Sequence, residues 1–172
     1  MFYQWQKTKE LHQEQAAPGE PPGLYDDIFC SNAYWNLIND GLVTEYNSVL
    51  MLSIDDAQLY HSKQSDCWIY IWIVVDLTPD KCYKIQNILP GGVIPGPERP
   101  GNLNSFLFPG MAHVSAVQHE GLHIWDTCYQ RHAVSFIFLL LVLVDTITMT
   151  QLSGSVGHHG QNSCQLLCRF PG

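Results

Sequence analysis

Basic side chains are scarce in this sequence. Of 172 residues only 8 are Lys or Arg, against 16 Asp or Glu, and the formal net charge is −8. A free-standing DNA-binding module usually displays a Lys/Arg patch, because phosphate contact needs one. Here the basic residues are spread thinly, which argues against strong nucleic-acid binding by this polypeptide alone. Long apolar runs are also missing. The longest, Phe136 to Val144, falls well short of the roughly 18 residues that cross a bilayer. A buried strand is expected there, and no membrane partner. The opening MFYQWQKTKE has no apolar centre of the signal-peptide kind. The 6 Cys are scattered, and without a secretory signal they point to reduced thiols in the cytosol or nucleus. No GxxxxGK phosphate loop and no Gly-x-Ser-x-Gly nucleophile elbow occurs. Finally, no Asp or Glu follows Asp145.

What the chain does have is apolar residues, 46% of the total with 14% charged. That suits one domain with a sizeable core. The organising stretch is Val49 to Leu77, VLMLSIDDAQLYHSKQSDCWIYIWIVVDL. Two runs rich in Val, Ile, Tyr and Trp flank a polar turn, which predicts adjacent strands. Asp55 and Asp56 end the first run, and Asp76 ends the second. A carboxylate at the end of a buried strand is held rigidly at a sheet edge.

Around this stretch the expected order is strand, strand, strand, helix, strand. Residues 1–24 close on APGEPPG, where Pro and Gly interrupt regular structure, so a flexible lead-in is expected before a domain at 25–172. Residues 25–46 suggest a short helix capped by Ser31 or Asn32 and ended by Asn39-Asp40-Gly41. Thr78-Pro79-Asp80-Lys81 suggests a turn joining Cys67–Leu77 to Cys82–Leu89 as a hairpin. PGGVIPGPERPGN then reads as a rigid loop. Val114, Val117, Leu122 and Trp125 recur at helical spacing, predicting a helix over Leu103–Gln130 with a possible break at Pro109-Gly110. Ala133 to Val144 predicts a buried strand ending at Asp145. Trp68, Trp72 and Trp125 read as core, as do Cys30, Cys67, Cys82 and Cys128.

One local motif carries chemistry by itself. His119-Glu120-Gly121-Leu122-His123 is a literal H-E-x-x-H. On a helix, positions i and i+4 share a face, so His119 and His123 could grip zinc with Glu120 as base. That is a metallopeptidase reading, with a third ligand sought from Asp126, His132 or Asp145.

The stretches SIDDAQLYHSKQSDCWIYIWIVVDLTPD, LPGGVIPGPERPGNLNSFLFPGMAHVSAVQHEGLHIWD and VGHHGQNSCQLLC resemble the catalytic region of fungal CACTA (En/Spm-like) transposases. The resemblance covers roughly residues 28–168. It implies an α/β, ribonuclease-H-like mixed sheet with a packed helix. It also implies DDE chemistry, in which three carboxylates hold two Mg²⁺ ions for in-line displacement at a DNA phosphate. Carried over, Asp55 matches the first acid and Asp145 the second. The resemblance further implies DNA terminal repeats as partner and a nuclear location. His158, His159, Cys164 and Cys168 resemble a zinc-binding insertion that follows the second acid in such proteins.

This chain departs from the family pattern in three places. Asp56 stands where Gly is expected after the first acid. Val144-Asp145-Thr146 replaces a Gly-containing turn, and the third acid is missing after Asp145. The expectation is therefore an incomplete, truncated or decayed transposase domain with little activity alone, or a co-opted binding module that keeps the fold without the chemistry.

Overall fold

A computed structural model describes residues 3–14, 26–58, 66–96 and 101–153. The fold is mixed α/β. A four-stranded mixed sheet has the order β3-β2-β1-β6, and a separate two-stranded sheet pairs β4 with β5. The strands are β1 (Ser48–Gln58), β2 (Asp66–Val74), β3 (Ile88–Pro95), β4 (Leu122–Asp126), β5 (Arg131–Ser135) and β6 (Ile137–Val144). The helices are α1 (Tyr3–Glu14), α2 (Asn32–Asn39), the short α3 (Pro79–Cys82), α4 (Leu103–Glu120) and α5 (Thr146–Ser153). The chain divides into two compact units. One is Met1–Met51, Ile73–Ile88 and His113–Leu141; the other is Leu52–Trp72, Leu89–Ala112 and Val142–Gly172.

In the first unit, β1 enters as Val49, Leu50 and Met51, all buried. Side chains of successive strand residues point to opposite faces, so unbroken burial means that both faces are covered. α1 forms part of this unit, so residues 3–14 of the lead-in expected over 1–24 are helical, while residues 15–24 lie outside the described residues. The Pro/Gly cluster begins only at Pro18, leaving residues 3–14 free to wind. Gln4, Thr8 and Leu11 lie on one stripe of α1 and are buried. Gln4 Nε2 donates to the Tyr34 hydroxyl at 2.5 Å, and the Thr8 hydroxyl meets the same oxygen at 2.7 Å. The Tyr3 hydroxyl donates to Asp27 at 2.8 Å. Burial pushes the Tyr34 pKa up to about 12, so its hydroxyl keeps its proton. α2 begins as its sequence indicates. The Ser31 hydroxyl accepts from the Tyr34 N–H at 3.3 Å, and Gly41, at φ +70°, follows the helix end.

In the second unit, β2 places Tyr70 against three glycines. A Cβ on Gly91 would overlap its ring, one on Gly92 would lie 2.6 Å from it, and one on Gly110 would lie 2.7 Å from its hydroxyl. This explains why LPGGVIP is strand β3 rather than the loop expected from its Pro and Gly content. The glycines there let the backbone approach an aromatic face. Tyr70 also meets Phe106 edge-on at 5.0 Å and Trp72 at 5.9 Å. The strand paired beside β2 therefore starts at Ile88, not Cys82. Pro79 occupies the first turn of α3, where its missing N–H costs nothing. α4 is capped by Asn102, whose side chain accepts from the Ser105 N–H at 3.0 Å, and it continues through Pro109.

Two further expectations change. The helix over Leu103–Gln130 stops at Glu120, and the strand over Ala133–Val144 is two strands split at Phe136. Phe136 turns outward to other partners. Its carbonyl accepts from the Ser48 N–H at 2.9 Å, and its own N–H donates to Asn47 at 3.4 Å.

The buried acid of the first unit is Asp76, 1% exposed. One oxygen accepts from the Val49 N–H at 2.9 Å, and the other is buried without a well-formed hydrogen bond. Burial raises its pKa from 3.8 to about 6, with the Val49 amide and the nearby Ser48 hydroxyl opposing only part of the shift. A carboxyl with a raised folded pKa holds its proton more tightly in the folded state. Ionised Asp76 thus costs stability above about pH 6, and the cost fades as pH falls toward 3.8. Asp76→Asn keeps the acceptor for Val49. It is expected to stabilise the protein by roughly 1–3 kcal/mol near neutral pH. It should also abolish the gain that the unmodified chain shows on moving from about pH 7.5 to 5. Denaturant unfolding at both pH values checks this; a variant less stable at both would contradict it.

Candidate functional site

The two strand-end acids belong to the same compact unit. β1 is buried through Ile54 and then emerges at Asp55 and Asp56, both exposed. Asp55 folds one oxygen back onto the Asp56 N–H at 2.9 Å. Asp145 directly follows β6 and is also exposed. β1 and β6 are neighbours in the sheet. The Ser48–Phe136 hydrogen bond lies where both strands begin. Neighbouring strands that leave one hydrogen bond together run parallel. Asp55 is seven residues beyond Ser48, and Asp145 is nine beyond Phe136. Along strands that rise about 3.3 Å per residue, the two acids therefore reach nearly the same level of the sheet.

Asp145 has a structural duty as well. It caps α5: one carboxylate oxygen accepts from the Thr148 N–H at 2.7 Å, and its carbonyl accepts from the Met149 N–H at 2.9 Å. Thr146 therefore begins a helix where the resemblance leads one to expect a glycine turn. A carboxylate with one oxygen on an amide is fixed in direction, as a ligand must be.

The H-E-x-x-H stretch does not lie on one helix. His119 and Glu120 end α4, Gly121 takes φ +75°, and His123 lies on β4. The His119 Nδ1–H donates to the Ser115 carbonyl at 2.7 Å, one turn back along the helix. The two histidines share no helix face, because the helix ends between them. A Cβ on Gly121 would overlap Val134 and lie 3.1 Å from the Phe136 ring, so strand β5 needs glycine at this break. Asp126, offered as a third ligand, instead accepts from the Cys128 and Tyr129 N–H groups at 2.8 and 3.1 Å. Its carboxyl is held below the usual range, chiefly by the Tyr129 amide. Among the described residues no three His, Cys, Asp or Glu side chains gather to hold a metal. His158, His159, Cys164 and Cys168 lie outside the described residues.

Trp125 was expected in the core, and so was Cys128. Both are exposed, on the β4–β5 hairpin and in its turn. Helical spacing had placed Trp125 on a buried face. The usable signal was Gly121, which breaks that spacing just before it. Trp68 and Trp72 are buried as expected.

The chain is mixed α/β with acids at neighbouring strand ends, and comparison with known proteins gives it a family. The family described as "Transposase family tnp2" matches residues 45–170. The match spans well over half of the chain and includes both acids, so the chain belongs to this transposase family. No curated protein and no solved structure matches it. Among the described residues no helix is long and apolar enough to cross a membrane.

The capping role of Asp145 separates two substitutions. Asp145→Ala is expected to cost about 1 kcal/mol, because the Thr148 amide loses its acceptor. Asp145→Asn caps equally well and should cost only a few tenths. Denaturant midpoints of the two variants check this; equal losses would contradict the cap.

Proposed function

We propose that this chain is a DDE-type transposase catalytic region of the CACTA kind, built on a ribonuclease-H-like sheet. Asp55 and Asp145 are two of its metal-binding carboxylates. The observation that carries the proposal is the neighbouring, parallel placement of β1 and β6, which delivers both acids to one level of the sheet. The chain order of three strands, a helix and a further strand fits this reading, with the β4–β5 hairpin set in before the last strand.

The donors suit a hard cation. Both are exposed carboxylates rather than imidazole or thiolate, and Mg²⁺ prefers oxygen ligands with water completing its shell. Bound there, Mg²⁺ supplies Lewis-acid help to the attacking and leaving oxygens of a displacement at a DNA phosphate. The chain's own part is positioning. Asp55 is held at the end of a strand buried on both faces. Asp145 is aimed by its bond to the Thr148 amide. Neither needs to reorganise to present an oxygen.

The third carboxylate has no source among residues 146–172, which contain no Asp or Glu. Two acids leave a two-metal site under-ligated, so this 172-residue chain by itself cleaves DNA very slowly. The DNA is that of element ends, which sets the nucleus as the working compartment. The net charge of −8 weakens backbone contact, so affinity for duplex is low and, with few phosphates neutralised, changes little with salt.

Isothermal titration of Mg²⁺ or Mn²⁺ into the full chain tests the site. Weak binding is expected, falling at least about tenfold in both Asp55→Asn and Asp145→Asn, the loss of one carboxylate being worth more than a kcal/mol. The Asn variants keep the fold, so metal affinity unchanged in both would overturn the assignment.

A further inference from the structure

Beneath α1 the hydrogen bonds can be followed one proton at a time. The Thr8 hydroxyl donates its only hydrogen to the Gln4 carbonyl, at 2.8 Å. Its contact with Tyr34 at 2.7 Å is therefore donated by the Tyr34 hydroxyl. That leaves the Tyr34 oxygen as an acceptor, so the Gln4 group meeting it at 2.5 Å is the amide NH₂. Gln4 Oε1 is thus the atom left over. It is buried, and among the described residues no donor reaches it.

Asp76 is in the same position. One of its oxygens takes the Val49 N–H, and the other is buried without a well-formed hydrogen bond. The two residues touch, because the Gln4 N–H donates to the Asp76 carbonyl at 3.3 Å. Buried acceptors that lack a donor are costly, and a buried carboxylate more so. A proton on Asp76 removes the charge and turns one of these acceptors into a donor.

α1 itself is lightly held. Its buried residues are Gln4, Thr8 and Leu11, of which only Leu11 is apolar. The remaining ties lie at its rim. The Tyr3 hydroxyl reaches Asp27, Lys7 pairs with Asp26 at 3.9 Å, and the His12 ring meets Trp35 edge-on at 4.7 Å. α1 also precedes the residues 45–170 that match the transposase family.

We propose that α1 is a proton-operated clasp: a proton on Asp76 seats the helix on the first unit, and ionisation of Asp76 frees it to open while α2 and β1 stay folded. Opening admits water to the carboxylate and to Gln4, which removes the cost of leaving both without donors. The other groups around the seat do not supply this response. Tyr3 and Tyr34 keep their protons up to about 12, and burial pushes the Cys30 thiol up. Lys7, Glu10, Asp26 and Asp27 border the helix, and the Lys7 charge is spent on Asp26. At Asp76 burial dominates, with the Val49 amide and the Ser48 hydroxyl opposing it in part. His12 is the rival source, since imidazoles change charge near neutral pH. The sign follows from burial. The seated carboxyl has its pKa raised from 3.8 to about 6, so seating weakens as pH rises through that interval and is weakest above it.

Hydrogen exchange of the full chain at pH 5 and 7.5, corrected for intrinsic exchange rates, tests the clasp. The α1 amides are expected to exchange faster than those of α2 and β1 at both pH values. Their protection should fall about tenfold from pH 5 to 7.5, the effect of one proton over the one unit below about 6. Asp76→Asn carries amide hydrogens in place of the acid proton, so its α1 protection should be equal at the two pH values. His12→Gln should keep the tenfold fall. Circular dichroism confirms that each variant folds. Unchanged α1 protection in the unmodified chain, a full tenfold fall in Asp76→Asn, or loss of the fall in His12→Gln would overturn the proposal. So would α1 and α2 amides exchanging in step, since the helix would then open only with the whole unit.

Discussion

The constraint on which the proposed chemistry depends is the burial of β1. From Val49 to Ile54 almost every side chain is shielded, on both faces of the strand. Such a strand cannot slip by one residue without exposing a full set of apolar groups. Its exit from the core is therefore a fixed point, and the residue found there is Asp55. The same logic sets Asp145. β6 is pinned at its start by the Ser48–Phe136 hydrogen bond and closed at its end by the cap on α5. Both acids are placed by backbone pairing and apolar packing.

Asp76 shows how differently a strand-end acid can be used. It lies at the end of the second apolar run, as Asp55 lies at the end of the first, yet it is buried and bonds the Val49 amide at the root of β1. One acid emerges into water and can meet a cation. The other stays inside and fastens the first residues of the central strand. α1 adds to this inner layer: the Gln4 N–H reaches the Asp76 carbonyl at 3.3 Å. Sequence position alone does not separate the two roles; the depth of the covering layer does.

The strands β1, β2 and β6 were legible because their apolar residues are β-branched or aromatic and bounded by polar stretches. The start and end of α2 were legible through Ser31 and Gly41. Three features were not. α1 was hidden because the Pro/Gly cluster that begins at Pro18 lies so close behind its last turn. β3 was hidden because Gly91 and Gly92 look like turn residues, whereas their task is to admit the Tyr70 ring, a partner distant in sequence. The hairpin at Leu122–Ser135 was hidden because Leu122 and Trp125 happen to continue the helical spacing of α4. Gly121 contradicted that spacing, and its positive φ is what ends the helix. The same apparent spacing sets His119 and His123 on one helix face and Trp125 on a buried one, whereas β4 carries His123 and an exposed Trp125. Asp55 stands out from the pattern as an acid ending an apolar run; its pairing with Asp145 comes from the resemblance alone. Composition has no means of pairing residues so far apart in the chain.

The proposed site requires one metal ion to sense the ends of β1 and β6 together. Paramagnetic broadening by Mn²⁺ in the amide spectrum of the ¹⁵N-labelled chain tests it directly. The account predicts that substoichiometric Mn²⁺ first broadens the amides of Ile54–Ala57 and Val144–Thr148 in parallel, leaving those of His119–Asp126 sharp. Broadening confined to one of the two strand ends, or centred on His119–Asp126, would contradict it.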